Sequence, residues 1–195
     1  MSNDVVLRCE ALTRTYGHGA TEVAALVDAS LEVRAGELVI LRGPSGSGKT
    51  TLLNLLGGLD TPTSGSVWVG DRQVTGASER DLIELRRHEI GYIFQTFASV
   101  SALSAAENVE LPMRLAGVAA AERTERVDEL LAIVGLADHH EQRPNELSGG
   151  QQQRLGIARS LANSPRLIIA DEPTGQLARL NAEAMMSLLA SLVHA

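Results

Sequence analysis

One segment of the sequence strongly restricts how the chain can fold. Residues 43–50 read GPSGSGKT, which fits the pattern G-x-x-x-x-G-K-[ST] of a phosphate-binding loop. An apolar run at residues 37–41 precedes it and a leucine-rich helical pattern follows it. This order predicts a strand, a tight turn and a helix, with glycines that let successive backbone N–H groups face one anion. The alternative is an ordinary glycine-rich turn between a strand and a helix.

The basic residues of this segment support the phosphate interpretation. The chain has 17 basic residues, and Lys49 is its one lysine. A compact ammonium can reach between the β- and γ-phosphates inside a tight loop, where a planar guanidinium is too large. The hydroxyl of Thr50 is the group expected on Mg²⁺. The candidate nucleotide-binding residues of the loop are Gly43, Pro44, Ser45, Gly46, Ser47, Gly48, Lys49, Thr50 and Thr51.

Composition excludes several classes of protein. At 195 residues, with 44% hydrophobic and 21% charged residues, the sequence is typical of one globular domain. A formal charge of −7 does not favour a nucleic-acid partner. The single cysteine, Cys9, fits a reducing cytosol and is expected to pack rather than react. No apolar run is long enough to cross a bilayer, so membrane association is expected through a partner.

The rest of the pattern predicts an α/β chain. Short β-branched runs at residues 4–9, 22–33 and 66–70 predict an antiparallel β layer, whereas residues 96–145 show only helical patterns. The expected division is a core with a β layer at residues 1–95 and 146–195, and a helical insertion at residues 96–145. Tyr16 is expected on the loop that connects the first two strands, where its ring could stack on a purine or cover the sheet edge.

Two acidic residues follow a short apolar strand at residues 166–170. Asp171 and Glu172 would lie at the carboxyl edge of a parallel sheet, where open α/β sheets bind ligands. They could equally be two solvated acids at a strand end.

A second glycine-rich segment, LSGGQ at residues 147–151, opens a helix. Ser148 and Gln151 fit a capping box, which explains a well-capped helix start. A cap alone does not need Gly149 and Gly150, because each glycine in a helix costs about 1 kcal/mol relative to alanine. The glycine pair favours an anion ligand at this helix N-terminus.

These motifs together resemble the ATP-binding cassette of ABC transporters. GPSGSGKT resembles the Walker A loop, Gln95 the Q-loop glutamine, LSGGQ the signature motif, and LIIADE at residues 167–172 the Walker B strand. The resemblance implies a P-loop NTPase core with an antiparallel β subdomain and an inserted helical subdomain. Two further segments, GGLDTPTSGSVWV and DEPTG, resemble the cassettes that act in lipoprotein release, macrolide export and cell division.

The resemblance also implies roles for single residues. Asp171, Thr50 and Gln95 would hold Mg²⁺, and Lys49 would bind phosphate. Glu172 would polarise the attacking water as general base, and Gln95 and Lys49 would be catalytic residues with it. Tyr16 would stack on adenine. The signature residues Ser148, Gly149, Gly150 and Gln151 would contact ATP held by a second protomer.

The implied partners are a second copy of the cassette and a membrane permease. The permease is expected to dock near residues 96–104, where Phe97, Val100 and Leu103 are either contacts or packed inside the helical lobe. The chain would then lie on the cytoplasmic face of the cell membrane. No nucleic-acid partner is expected.

Two departures from the family pattern motivate a second hypothesis. Ala178 stands where the family usually has aspartate, and the sequence ends at Ala195, before the strand that carries the switch histidine; His194 is not given that role. The alternative is therefore an ATP-gated binding module that does not hydrolyse. A third hypothesis, a soluble cassette of DNA-repair or ribosome-associated type, is disfavoured by the acidic composition and the lack of a long charged heptad insertion.

Overall fold

The structure is a computed structural model that describes residues 4–96, 98–174 and 179–193. The chain forms two compact units, one up to Glu84 and one from Leu85 onward. Helix α2 (Glu79–His88) contains the junction between them. The division into a core and a helical insertion at residues 96–145 remains a prediction.

The first unit contains a four-stranded antiparallel sheet with the order β2-β1-β3-β4. Its strands are β1 (Val5–Tyr16), β2 (Val23–Arg34), β3 (Ser64–Val69) and β4 (Arg72–Gln73). Burial alternates at Leu7 and Cys9 of β1 and at Val67 and Val69 of β3, which is what a sheet with one apolar face requires. The β layer predicted from the sequence is therefore present, and Cys9 is buried in it.

Helix α1 (Lys49–Leu56) follows the glycine-rich loop directly. Leu52, Leu55 and Leu56 bury one face of the helix, as their spacing predicts. Gly58, at φ +66°, continues the turn that ends the helix.

The strand expected at residues 37–41 is not formed. These residues lie between β2 and α1 without regular secondary structure, and Leu38, Val39 and Ile40 are exposed. A strand exists only where another strand pairs with it, and no ladder of the described residues includes this run. The apolar composition was therefore an insufficient signal.

The second unit combines two parallel strands with a helical core. β5 (Ile90–Ile93) pairs in parallel with β6 (Leu167–Ala170). The helices are α3 (Ala105–Leu115), α4 (Ala120–Ile133), α5 (Gly149–Ser160) and α6 (Arg179–Val193). Their buried apolar faces, with those of the two strands, form one continuous core. Helices α3 and α4 occupy half of the segment between Thr96 and Asn145, and the described part of this segment contains no strand.

Candidate functional site

The phosphate-binding loop needs its glycines for two different reasons. Gly46 and Gly48 have φ of +78° and +87°, a region that side chains rarely adopt. A Cβ on Gly48 would lie 2.4 Å from the backbone oxygen of Ala25, so backbone packing also excludes a side chain there. A Cβ on Gly46 would meet nothing within 4 Å. The loop thus packs against β2 at Gly48, whereas the space beside Gly46 is open.

Lys49 closes this loop with its own side chain. Its Nζ donates to the carbonyl oxygens of Gly43 (3.0 Å) and Pro44 (2.9 Å). Helix α1 begins at the same residue, and no described side chain caps its N-terminus or places an acid in its first turn. The first N–H groups of the helix, the helix dipole and the ammonium therefore favour an anion at the same end of α1.

Tyr16 is the last residue of β1 and is 40% exposed. Its hydroxyl donates to Asp60 Oδ2 at 2.7 Å, and the guanidinium of Arg14 lies over its ring, 4.4 Å from the centroid. Sequence reasoning found Tyr16 but missed these two partners. Asp60 is 44 residues away in the chain, and nothing in the local pattern connects it to the tyrosine.

In the second unit, Gln95 and Glu172 meet beyond the carboxyl ends of β5 and β6. The strands are in register from Ile90–Leu167 to Ile93–Ala170, and the N–H of Asp171 continues the ladder to Ile93 at 2.9 Å. The Gln95 amide nitrogen then donates to Glu172 Oε2 at 2.9 Å. Two residues assigned to catalysis from the sequence, 77 positions apart, are therefore in direct contact.

Candidate magnesium ligands are present in both units. Thr50 lies in the first turn of α1, and Asp171 follows β6 in a partly exposed position. Gln95 donates through its amide nitrogen, so its oxygen is the atom that could serve a cation. Hydroxyl, amide and carboxylate oxygens are the donors that Mg²⁺ prefers, so each of these residues has the chemistry of a magnesium ligand.

The signature segment forms the capping box that its sequence predicts. The N–H of Gln151 donates to Ser148 Oγ at 3.3 Å, and the N–H of Ser148 donates to Gln151 Oε1 at 2.8 Å. Gly149 and Gly150 occupy the first turn of α5. The Gln151 amide nitrogen also lies 3.1 Å from Nε2 of His139, a neighbour that sequence reasoning missed.

The segment before α3 contains the residues predicted to face a permease. Val100 is 40% exposed and Leu103 is partly buried, so the first is available as a contact and the second is mainly packing. Buried Asn108 binds backbone groups of this segment. Phe97, Ala178 and His194 lie outside the described residues. Within the described ranges, no helix is long and apolar enough for a bilayer.

Sequence comparisons identify relatives of this chain over most of its length. The family model described as ABC transporter matches residues 26–175. An uncharacterised ABC transporter ATP-binding protein of Thermotoga maritima is 50% identical over 92% of this chain and 76% of its own length. The macrolide export ATP-binding/permease protein MacB of Bradyrhizobium diazoefficiens is 47% identical over 96% of this chain. The chain spans only 29% of that MacB sequence.

Solved structures agree with the sequence comparison. The dimeric structure of MJ0796, a bacterial ABC transporter cassette, has a TM-score of 0.88 and 41% identity, covering 96% of this chain and 83% of that one. A dimeric post-hydrolysis state of MJ0796 bound to ADP and Pi gives a TM-score of 0.87 at 40% identity, covering 96% and 82%. The predicted α/β P-loop NTPase class is confirmed, and the chain belongs to the ABC transporter family as an ATP-binding cassette of the MacB-like subgroup.

Proposed function

We propose that this chain binds Mg-ATP on residues 43–51 and hydrolyses it as one half of a head-to-tail cassette dimer that powers a membrane permease. The observation that carries the proposal is the glycine loop with Lys49 at the uncapped start of α1. Polyphosphate replaces the loop carbonyls as the partner of the ammonium, because phosphate oxygens carry full charge. Thr50, Asp171 and Gln95 are the residues that would hold Mg²⁺, and the ion would neutralise charge on the phosphates.

Glu172 serves as the general base in this proposal. A water attacks the γ-phosphorus while its proton passes to the Glu172 carboxylate, and the bond from the γ-phosphorus to the bridging oxygen breaks. The products are ADP and inorganic phosphate. We assign the proton to Oε1, because Oε2 already accepts the Gln95 amide. Gln95 thereby fixes the orientation of the base.

The signature helix supplies the second half of each site. Ser148 and Gln151 shape the start of α5, and the two glycines leave its backbone N–H groups unobstructed by side chains. We propose that this helix end binds the γ-phosphate of ATP held by a second copy of the chain. The dimers observed for MJ0796, one of them with ADP and Pi, support this arrangement.

The relatives support a membrane permease as the partner, and the segment before α3 is where we propose that it docks. MacB is named as an ATP-binding/permease protein, and this chain matches 29% of its length. We propose that residues 96–104 dock such a permease at the cytoplasmic face of the membrane, within a helical subdomain at residues 96–145. The transported or extruded molecule is selected by the permease.

The test is Mg-ATP turnover measured against protein concentration. Specific activity should rise with concentration, because each site needs a second protomer. Glu172→Gln should lower kcat by about 10²–10⁴-fold while ATP still binds, since it removes only the proton acceptor. Lys49→Ala should weaken ATP binding itself.

Each outcome of this test separates the hypotheses. ATP binding without phosphate release at any concentration would favour a non-hydrolysing, ATP-gated module. Unchanged ATP affinity in Lys49→Ala would refute the phosphate-loop assignment altogether. Co-purification with nucleic acid would instead favour a soluble cassette of DNA-repair or ribosome-associated type.

A further inference from the structure

The aromatic ring of Tyr16 is held at two points, although the residue is 40% exposed. Its hydroxyl donates to Asp60 Oδ2 at 2.7 Å, which fixes the tip of the ring. The Arg14 guanidinium lies over one ring face, at a distance typical of a cation–π contact. An exposed tyrosine usually samples several rotamers, and these two contacts select one of them.

Arg14 and Asp60 also hold each other. Arg14 Nε donates to Asp60 Oδ2 at 2.9 Å and its NH2 group donates to Oδ1 at 2.8 Å, which is a two-point ion pair. Both side chains are only 23% exposed. Burial raises the pKa of the Asp60 carboxyl, but the Tyr16 hydroxyl, the Thr61 N–H and Arg14 together hold it below its ordinary value. The acceptor for the tyrosine hydroxyl is therefore an ionised carboxylate at neutral pH.

The same three residues are linked to the phosphate loop through one helix. Asp60 follows the C-terminal turn of α1, where its N–H donates to Asn54 O at 3.3 Å. The N-terminus of that helix is Lys49, at the phosphate loop. A helix of eight residues is about 12 Å long and does not bend easily. The ring is therefore set at a defined distance from the loop within the first unit.

We propose that Arg14 and Asp60 are positioning residues that hold Tyr16 as a preformed platform for the base of bound ATP. This inference rests on the proposed function. Arg14 occupies one face of the ring, so the base stacks on the exposed remainder of the ring. Because the protein's own side chains hold the ring, ATP binding does not have to immobilise it.

The variants that test this inference each remove a different part of the cluster formed by Tyr16, Arg14 and Asp60. Tyr16→Phe keeps the ring and loses the bond to Asp60, while Asp60→Asn keeps the shape and loses the charge that pairs with Arg14. Arg14→Met removes the guanidinium from the ring. Tyr16→Ala removes the platform completely. Arg8→Met is the matched control. Arg8 lies on β1, like Arg14, and its guanidinium makes an equivalent stack on the ring of Trp68, 4.3 Å from the ring centroid.

The measurement is the dissociation constant of the whole chain for Mg-ATP and for inorganic tripolyphosphate, by calorimetry. Tripolyphosphate has no adenine, so its affinity measures binding to the phosphate loop alone. Tyr16→Phe, Asp60→Asn and Arg14→Met should each weaken ATP binding by about three- to tenfold, the effect of immobilising one or two side chains on binding. Tripolyphosphate affinity should not change. Arg8→Met should change neither ligand.

Several outcomes would overturn the inference and leave the proposed function standing. One is full ATP affinity in Tyr16→Ala while Lys49→Ala still weakens both ligands. Another is a parallel loss of both ligands in Asp60→Asn, which would show that the ion pair only supports the fold. Tighter ATP binding in Arg14→Met would show that arginine blocks the ring. Failure of Lys49→Ala to affect either ligand would refute the phosphate-loop assignment instead.

Discussion

Replacing Asn108 by alanine tests whether one buried amide fixes the segment proposed to dock a permease. Asn108 is fully buried in α3. Its Oδ1 accepts the Val100 N–H at 2.8 Å, and its amide nitrogen donates to the carbonyls of Val100 (3.1 Å), Leu103 (3.1 Å) and Ser104 (2.9 Å). Alanine at this position deletes all four bonds.

The expected cost follows from what remains after the substitution. The Val100 carbonyl still accepts the Leu103 N–H, and the Ser104 carbonyl still accepts the backbone N–H of residue 108. The Val100 N–H and the Leu103 carbonyl have no second partner among the described hydrogen bonds. Each partly buried group left unsatisfied costs about 1–3 kcal/mol. Some hydration is expected near exposed Val100, so we expect a loss of about 2–4 kcal/mol in the free energy of unfolding.

Urea unfolding of Asn108→Ala and of the wild type measures this loss directly. Asn145→Ala is the matched control, because Asn145 is exposed and should change stability by less than about 0.5 kcal/mol. Asn108→Asp should be at least as damaging as Asn108→Ala, since it places an oxygen against three carbonyls. Protease sensitivity within residues 98–104 should rise in both variants. A stability change below about 0.5 kcal/mol for Asn108→Ala would refute the reasoning.

Three shorter predictions concern close backbone contacts and the signature helix. Gly48→Ala should abolish ATP binding, because its Cβ would meet a backbone oxygen at 2.4 Å, whereas Gly46→Ala should only weaken it. Equal calorimetric losses for the two variants would contradict this. Gly91→Ala should lower the free energy of unfolding in urea by about 1–3 kcal/mol, since its Cβ would lie 2.3 Å from a backbone oxygen, and a neutral result would be inconsistent with the packing of β5. His139→Phe should weaken ATP-driven dimerisation, because phenylalanine cannot make the contact to Gln151, whereas His139→Gln keeps a polar group there and should dimerise like the wild type. Light scattering measures dimerisation of both variants. Weakened dimerisation of His139→Gln would argue against a role for the contact.

The sequence predicted those features of the candidate site that involve only residues close together in the chain. A capping box involves four consecutive residues, so the sequence alone predicts the box of Ser148 with Gln151, and the structure shows it. The positive φ of Gly46 and Gly48 follows from the motif for the same reason. Such features depend on the backbone of a single turn.

Contacts between distant residues were not predictable in this way. The apolar run at residues 37–41 has the composition of a strand, but pairing depends on which other segment lies beside it. The partners of Tyr16 were missed because an arginine and an aspartate in a polar pattern look like ordinary surface residues. The sequence provided only weak evidence for the role of Asn108. The residue lies on the same helical face as buried Ala105 and Val109, and a polar side chain on such a face needs hydrogen-bond partners.

Glu172 shows how the chemistry of this site conflicts with local backbone preference. Its φ is +45°, a conformation that costs a residue with a side chain about 1–3 kcal/mol. Glycine would relieve that cost but could not provide a carboxylate. The conformation persists because the residue before it is fixed to β5 through the Asp171 N–H, and because the Gln95 amide holds the carboxylate. Backbone strain at an acidic side chain that contacts Gln95 therefore agrees with the role proposed for Glu172, because functional sites are where local preferences are expected to be broken.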